Sequence, residues 1–157
     1  MEQQQQYEVL KLRGAIRMVL SDLEGRPLHE VNCQNLAVTQ GRSWVLGQLE
    51  SVNIVTSQTI SYLAIGSSTV APTTGDTALN AEIIRNAIGT FVTSTLTQVP
   101  PNFSALVSFA TNQGNTTLAE CGLFNSSSGG TMLAHATFSS FVKATSNILN
   151  LTYTISD

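Results

Sequence analysis

Apolar and polar residues alternate with a period of two along most of the chain, the pattern of strands that turn one face to a core and the other outward. Near the start, Val9, Lys11, Arg13 and Ala15 alternate with Leu10, Leu12, Gly14 and Ile16, and Gly14 is expected to mark a bulge or kink. The stretch "DLEGRP" supplies a turn, and "LHEVNCQNLAV" reads as a second extended segment. From "QTISYLAIG" onward the pattern is β-rich. Val92 and Leu96 alternate with polar positions, Phe103, Ala105, Val107 and Phe109 share one face, and Leu149, Leu151, Tyr153 and Ile155 oppose Asn150, Thr152 and Thr154. Between "LAECGLF" and "TMLAHATFSSFV", residues 126–130 form a hairpin tip.

Two stretches depart from this period. In "TQGRSWVLGQLESV" the spacing of Val45, Leu46, Leu49 and Val52 predicts a helix with Thr39 as its N-cap and Trp44, the single tryptophan, anchoring its packing. In "YLAIGSSTVAPTTGDTALNAEIIR", Gly66 ends a strand, "STVAPTT" runs over the surface, and Asp76 caps a short helix starting at Thr77 that carries Glu82 and Arg85. Short strands with one or two short helices predict an all-β fold, an antiparallel β-sandwich or jelly-roll-like domain over residues 13–157, preceded by an extended arm at 1–12.

Composition narrows the chemistry. Charged residues are 11% of the chain, less than half the roughly 25% usual in globular proteins. Eleven of the seventeen lie in the first fifty positions, so the later strands must turn Ser, Thr, Asn and Gln outward. A net charge of −3 gives no pull toward nucleic acid or an anionic membrane, and no apolar run approaches the roughly 18 residues of a membrane span. Cys33 and Cys121 stand alone and read as reduced, buried small hydrophobes. The opening carries no secretory leader pattern, so the chain is expected to be made in the cytoplasm, and Asn102, Asn115, Asn125 and Asn150, each in an N-x-[ST] triplet, read as turn and outward strand positions.

The loop after Gly66 resembles a phosphate loop only in outline, since no lysine lies between Lys11 and Lys143 and Gly66 and Gly75 are nine positions apart. No cofactor and no metal is expected. His29 and His135 are far apart and lack companion ligands, and the serine-rich stretches lack a G-x-S-x-G elbow. Glu120, in the apolar context "LAECGLF", needs a partner if buried; Arg85 is the expected one, forming a structural pair that ties the predicted helix to the sheet. An acid and base pair of Glu82 and Glu120 is the enzymatic alternative, and non-enzymatic is the preferred reading.

The blocks "QNLAVTQGRSWVLGQL", "ISYLAIGSSTVAPTTGDTALNAEIIR", "AECGLFNSSSGGTMLAHATF" and "NILNLTYTIS" together resemble a family of small bacteriophage virion structural proteins, covering Asn35 to Ile155. Cys121 and the glutamine-rich start depart from the family pattern. The resemblance implies a head decoration (cement) or tail-associated protein. The expectation drawn from it is a homo-oligomeric cement protein on the outer capsid surface that bridges subunits of the major capsid protein. Tyr7, Val9, Lys11 and Arg13 would make partner contacts, with edge-strand pairing through residues 7–15. A tail, baseplate or fibre-attachment component is the alternative, followed by a module that binds host glycans.

Overall fold

In the computed structural model, which describes residues 13–50, 59–93 and 102–156, ten strands form two antiparallel five-stranded sheets packed as a β-sandwich. Sheet A runs in the order β2-β1-β10-β7-β6, from β1 (Arg13–Ser21), β2 (Pro27–Gln34), β6 (Thr90–Thr93), β7 (Asn102–Phe109) and β10 (Ile148–Ser156). Sheet B runs β3-β9-β8-β4-β5, from β3 (Leu36–Ala37), β4 (Tyr62–Gly66), β5 (Glu82–Ala87), β8 (Thr117–Phe124) and β9 (Met132–Val142). The chain crosses between sheets at Asn35, whose side chain occupies the space a β-carbon would take on Gly14.

The period-two pattern sets the core. Ile16, Met18 and Leu20 of β1, Ala105, Val107 and Phe109 of β7, and Leu149, Leu151 and Tyr153 of β10 are buried against Leu63, Ile65, Cys121 and Leu123 of sheet B. At the turn of "NSSSGG", Gly129 and Gly130 take positive φ (56° and 74°), and Asn125 Oδ1 accepts from Thr131 N at 2.7 Å, which closes the hairpin as predicted. Cys33 and Cys121 are free thiols; Cys121 is buried, whereas Cys33 is half-buried. Burial pushes the Cys33 thiol up to about 11 and Cys121 well above its usual range, so both stay protonated at neutral pH.

One helix, α1 (Thr39–Glu50), follows β3 and lies on β9. Its first turn closes with Arg42 N donating to Val38 O, so Val38 occupies the capping position expected of Thr39, whose own N–H donates to Thr74 O at 2.7 Å. Trp44 and Val45 pack toward the core, while Leu46 points outward at 57% exposure, a correction to the predicted face. Leu96 and the arm at 1–12, with Tyr7, Val9 and Lys11, lie outside the described residues.

Three further expectations change. Gly14 keeps regular register with Ile155, and the irregularity in β1 falls at Leu20/Ser21 instead. β1 is an inner strand, with Ala15 paired to both Gln34 and Thr154, so it offers no free edge at that position. No helix begins at Thr77: the chain remains irregular through Ala81 and then enters β5, where the β-branched Ile83 and Ile84 favour a strand.

Two glycines of α1 give opposite expectations. Gly41 is buried, and a β-carbon there would overlap the backbone of Leu133, whereas one on Gly47 would meet nothing within 4 Å. Gly47→Ala should stabilise the fold by about 0.5–1 kcal/mol through helix propensity, and Gly41→Ala should destabilise it by roughly 1–3 kcal/mol, measured by urea unfolding.

Candidate functional site

The outer face of sheet B is not open. Residues 67–81, between β4 and β5, form a strap across it, and Leu79 of the strap is buried with Val38, Ala64, Phe124 and Met132. Beneath the strap lies Glu120 of β8, fully buried. Its carboxylate faces the strap because its neighbour on β4 is Gly66, where a β-carbon would stand 2.5 Å from Glu120 Oε1.

Backbone N–H groups of the strap satisfy this carboxylate. Ala81 N donates to Oε1 at 2.6 Å, Asn80 N to Oε2 at 3.0 Å and Ser68 N to Oε1 at 3.4 Å. Neighbouring β9 supplies His135, also fully buried, with Nε2 3.0 Å from Glu120 Oε2 and Nδ1 2.7 Å from Asp76 Oδ2 on the strap. Asp76 in turn accepts from Thr73 N at 2.8 Å and Thr73 Oγ1 at 2.5 Å, holding a tight turn. Burial alone would push the Asp76 carboxyl up; the hydrogen bonds from Thr73 and His135 and the charge of His135 outweigh it and hold the group below the usual range.

Ionised carboxylates accept and do not donate, so with both carboxylates ionised each of the two contacts of His135 is made by a ring N–H. The resulting clasp is carboxylate, imidazolium, carboxylate, with the surplus negative charge spread over amide and hydroxyl donors. Its carboxylates sit on opposite sides of one ring and so share no point where a metal could bind both. Among the described residues no group of three or more His, Cys, Asp and Glu could hold a metal ion.

The expected Arg85 and Glu120 pair does not form. Arg85 bonds Glu82 through Nε (2.9 Å) and Nη2 (2.7 Å), donates through Nη1 to Ser126 O and Gly129 O of the hairpin tip, and lies 3.6 Å from the centre of the Phe124 ring. The three-residue spacing of Glu82 and Arg85 therefore reflects a bulged strand, not a helix. Ile65 pairs with Ile84 and Gly66 with Glu82, and the extra residue, Ile83, puts Glu82 and Arg85 on one face. Glu82 is thus neutralised by Arg85 and does not face Glu120 as an acid and base pair. Asp76 caps no helix; its side chain closes the strap turn and holds His135.

His29 is exposed on β2 with its ring 5.3 Å from that of Phe141, far from the clasp in role and partners. Arg13 begins β1 opposite Ser156, exposed. A buried lysine, Lys143, directly follows β9 and donates from Nζ to Ala110 O at 2.7 Å and Asn115 Oδ1 at 2.9 Å, bracing the loop between β7 and β8. Desolvation moves its ammonium below the usual lysine value.

No family model, curated protein or solved structure gives a significant match to the chain.

Loss of the Glu120 charge should be costly because one carboxylate oxygen becomes an NH2 group that accepts from none of the donors now bonded there, such as Asn80 N and His135 on Oε2. Glu120→Gln is expected to destabilise the fold by roughly 3 kcal/mol in urea unfolding. In double-mutant cycles Arg85 should couple to Glu82 by about 1 kcal/mol and to Glu120 by less than about 0.5 kcal/mol. The depressed Asp76 carboxyl stabilises the fold above the ordinary carboxyl range, and this contribution disappears as pH falls through its lowered native value. The stability gap between wild type and Asp76→Asn, followed by thermal unfolding, should therefore be full near neutral pH and shrink below about pH 4.

Proposed function

We propose that the chain is a non-enzymatic bacteriophage virion structural protein, and within that class a cement protein that docks on the outer capsid and bridges subunits of the major capsid protein. The observation that carries this reading is the outward face of sheet A. Across its inner strands this face presents Ala15, Ser104, Ser108, Asn150, Thr152 and Thr154 around the exposed Leu106, with Ser104 and Thr154 hydroxyls bonded at 2.8 Å. The cations of β1 on this face are Arg13 at its start and Arg17, the latter held by Glu30 on the adjacent β2 at 2.8 Å. Small neutral polar groups lose less on leaving water than charged ones, so such a face suits permanent burial in an assembly.

The resemblance of "ISYLAIGSSTVAPTTGDTALNAEIIR" and "AECGLF" to phage virion proteins supports the same reading, and the two blocks meet as one physical unit, the strap and the carboxylate that holds it. The mechanism is linkage: a protein that binds only the assembled lattice stabilises it by mass action, and repeated copies add avidity. Gold-tagged antibody against this chain, applied to purified particles of the phage encoding it, tests the proposal. Dense label over the head is expected; a few labels confined to the tail would replace cement with the attachment reading, and unlabelled particles would remove both.

A further inference from the structure

The strap is attached to the sandwich mainly by polar bonds. Leu79 is its buried apolar anchor; its polar docking includes the Glu120 amide bonds, the Asp76 contact to His135, Thr39 N to Thr74 O and Gln40 Nε2 to Thr77 O. Glu120 and His135 are fixed by strand ladders on β8 and β9, whereas Asp76 and the amide donors belong to a segment with no ladder of its own. Any repulsion inside the clasp is therefore relieved most cheaply by moving the strap.

We infer that the clasp is a proton-operated latch: residues 67–81 stay docked while both ring nitrogens of His135 carry protons, and loss of one proton releases them while both sheets remain folded. A neutral imidazole has one donor, so one of its nitrogens would turn a lone pair toward a carboxylate oxygen at 2.7 or 3.0 Å. A docked state that binds one more proton than the released state is favoured by low pH and loses ground as pH rises.

The other ionisable groups near this face have their own engagements. Tyr62 of β4 packs at the margin of the Leu79 cluster, Glu82 and Arg85 of β5 bond each other, and Arg42 of α1 is exposed. Cys121 of β8 points to the inner core, and β3 carries no ionisable side chain. On the acid side the Asp76 carboxyl is held below the usual carboxyl range, so its contact to the ring persists into mild acid.

The test is an NMR pH titration of the full chain toward alkaline pH, following the His135 ring nitrogens, the Ser68, Asn80 and Ala81 amides and, as a control, the Leu149 and Leu151 amides of β10. One step is expected in which the His135 ring and the three strap amides change together while the β10 amides hold still. His135→Gln should abolish the step. Asp76→Asn, which keeps side-chain shape at a partly exposed site, should move the midpoint to lower pH, because a neighbouring negative charge that favours the doubly protonated ring is removed. The latch is overturned if His135 is singly protonated throughout with the strap amides unchanged, if the strap amides move only when β10 unfolds, or if Asp76→Asn leaves the midpoint where it was.

Discussion

A carboxylate placed in the middle of a sheet and cut off from water has to be given donors, and Glu120 is given four. Three come from the backbone of a segment that would otherwise have no reason to lie flat on sheet B, and the fourth from the His135 ring. The rest of this face follows from that requirement. Gly66 leaves room for the carboxylate, Leu79 is buried because the strap comes down, and Asp76 reaches the far side of the imidazole because the strap turns at Thr73. Buried ion pairs usually gain little net free energy, yet breaking one is expensive, so a clasp of this kind favours one strap conformation over others more than it adds to stability.

The two sides of the sandwich consequently differ in kind. Sheet B is covered by strap and helix, while the central strands of sheet A present mostly short neutral side chains, interrupted by Arg13, Arg17 and Leu106. A shallow trough of about 460 Å³ on that face is lined by Ala15, Arg17, Asn32, Gln34, Thr152 and Thr154. Shape and neutral polarity, not a chemical group held ready, characterise the surface on which the proposed capsid role rests.

The strands were legible because each obeys one local rule. Residues such as Leu149, Leu151 and Tyr153 announce their face by alternation alone, and the turn glycines of "NSSSGG" announce the reversal. The site was only half legible. That Glu120 must have a partner followed from its apolar surroundings, and the hairpin tip already put β9 beside β8, but the register shifts that bring His135 within reach of Glu120 carry no local signal. Arg85 looked the better candidate because its charge is permanent and its spacing from Glu82 mimics a helix. A single bulged residue at Ile83 creates the same adjacency on a strand. A lone histidine amid Leu133, Ala134 and Ala136 was the signal that could have corrected this, since a polar ring so placed needs bonds on both nitrogens.

The pairing of β1 with β10 joins residues near the two ends of the described chain, Arg13 opposite Ser156 and Ser21 opposite Ile148. Sheet A therefore has its central ladder between the first strand and the last. On a ribosome β1 and β2 can form their hairpin early, but the hairpin must wait for nearly the whole chain before its apolar face is covered, while β8 and β9 of sheet B close locally. Completion of the core is thus tied to the arrival of β10, and the slow step of folding is a long-range search by β10 for β1.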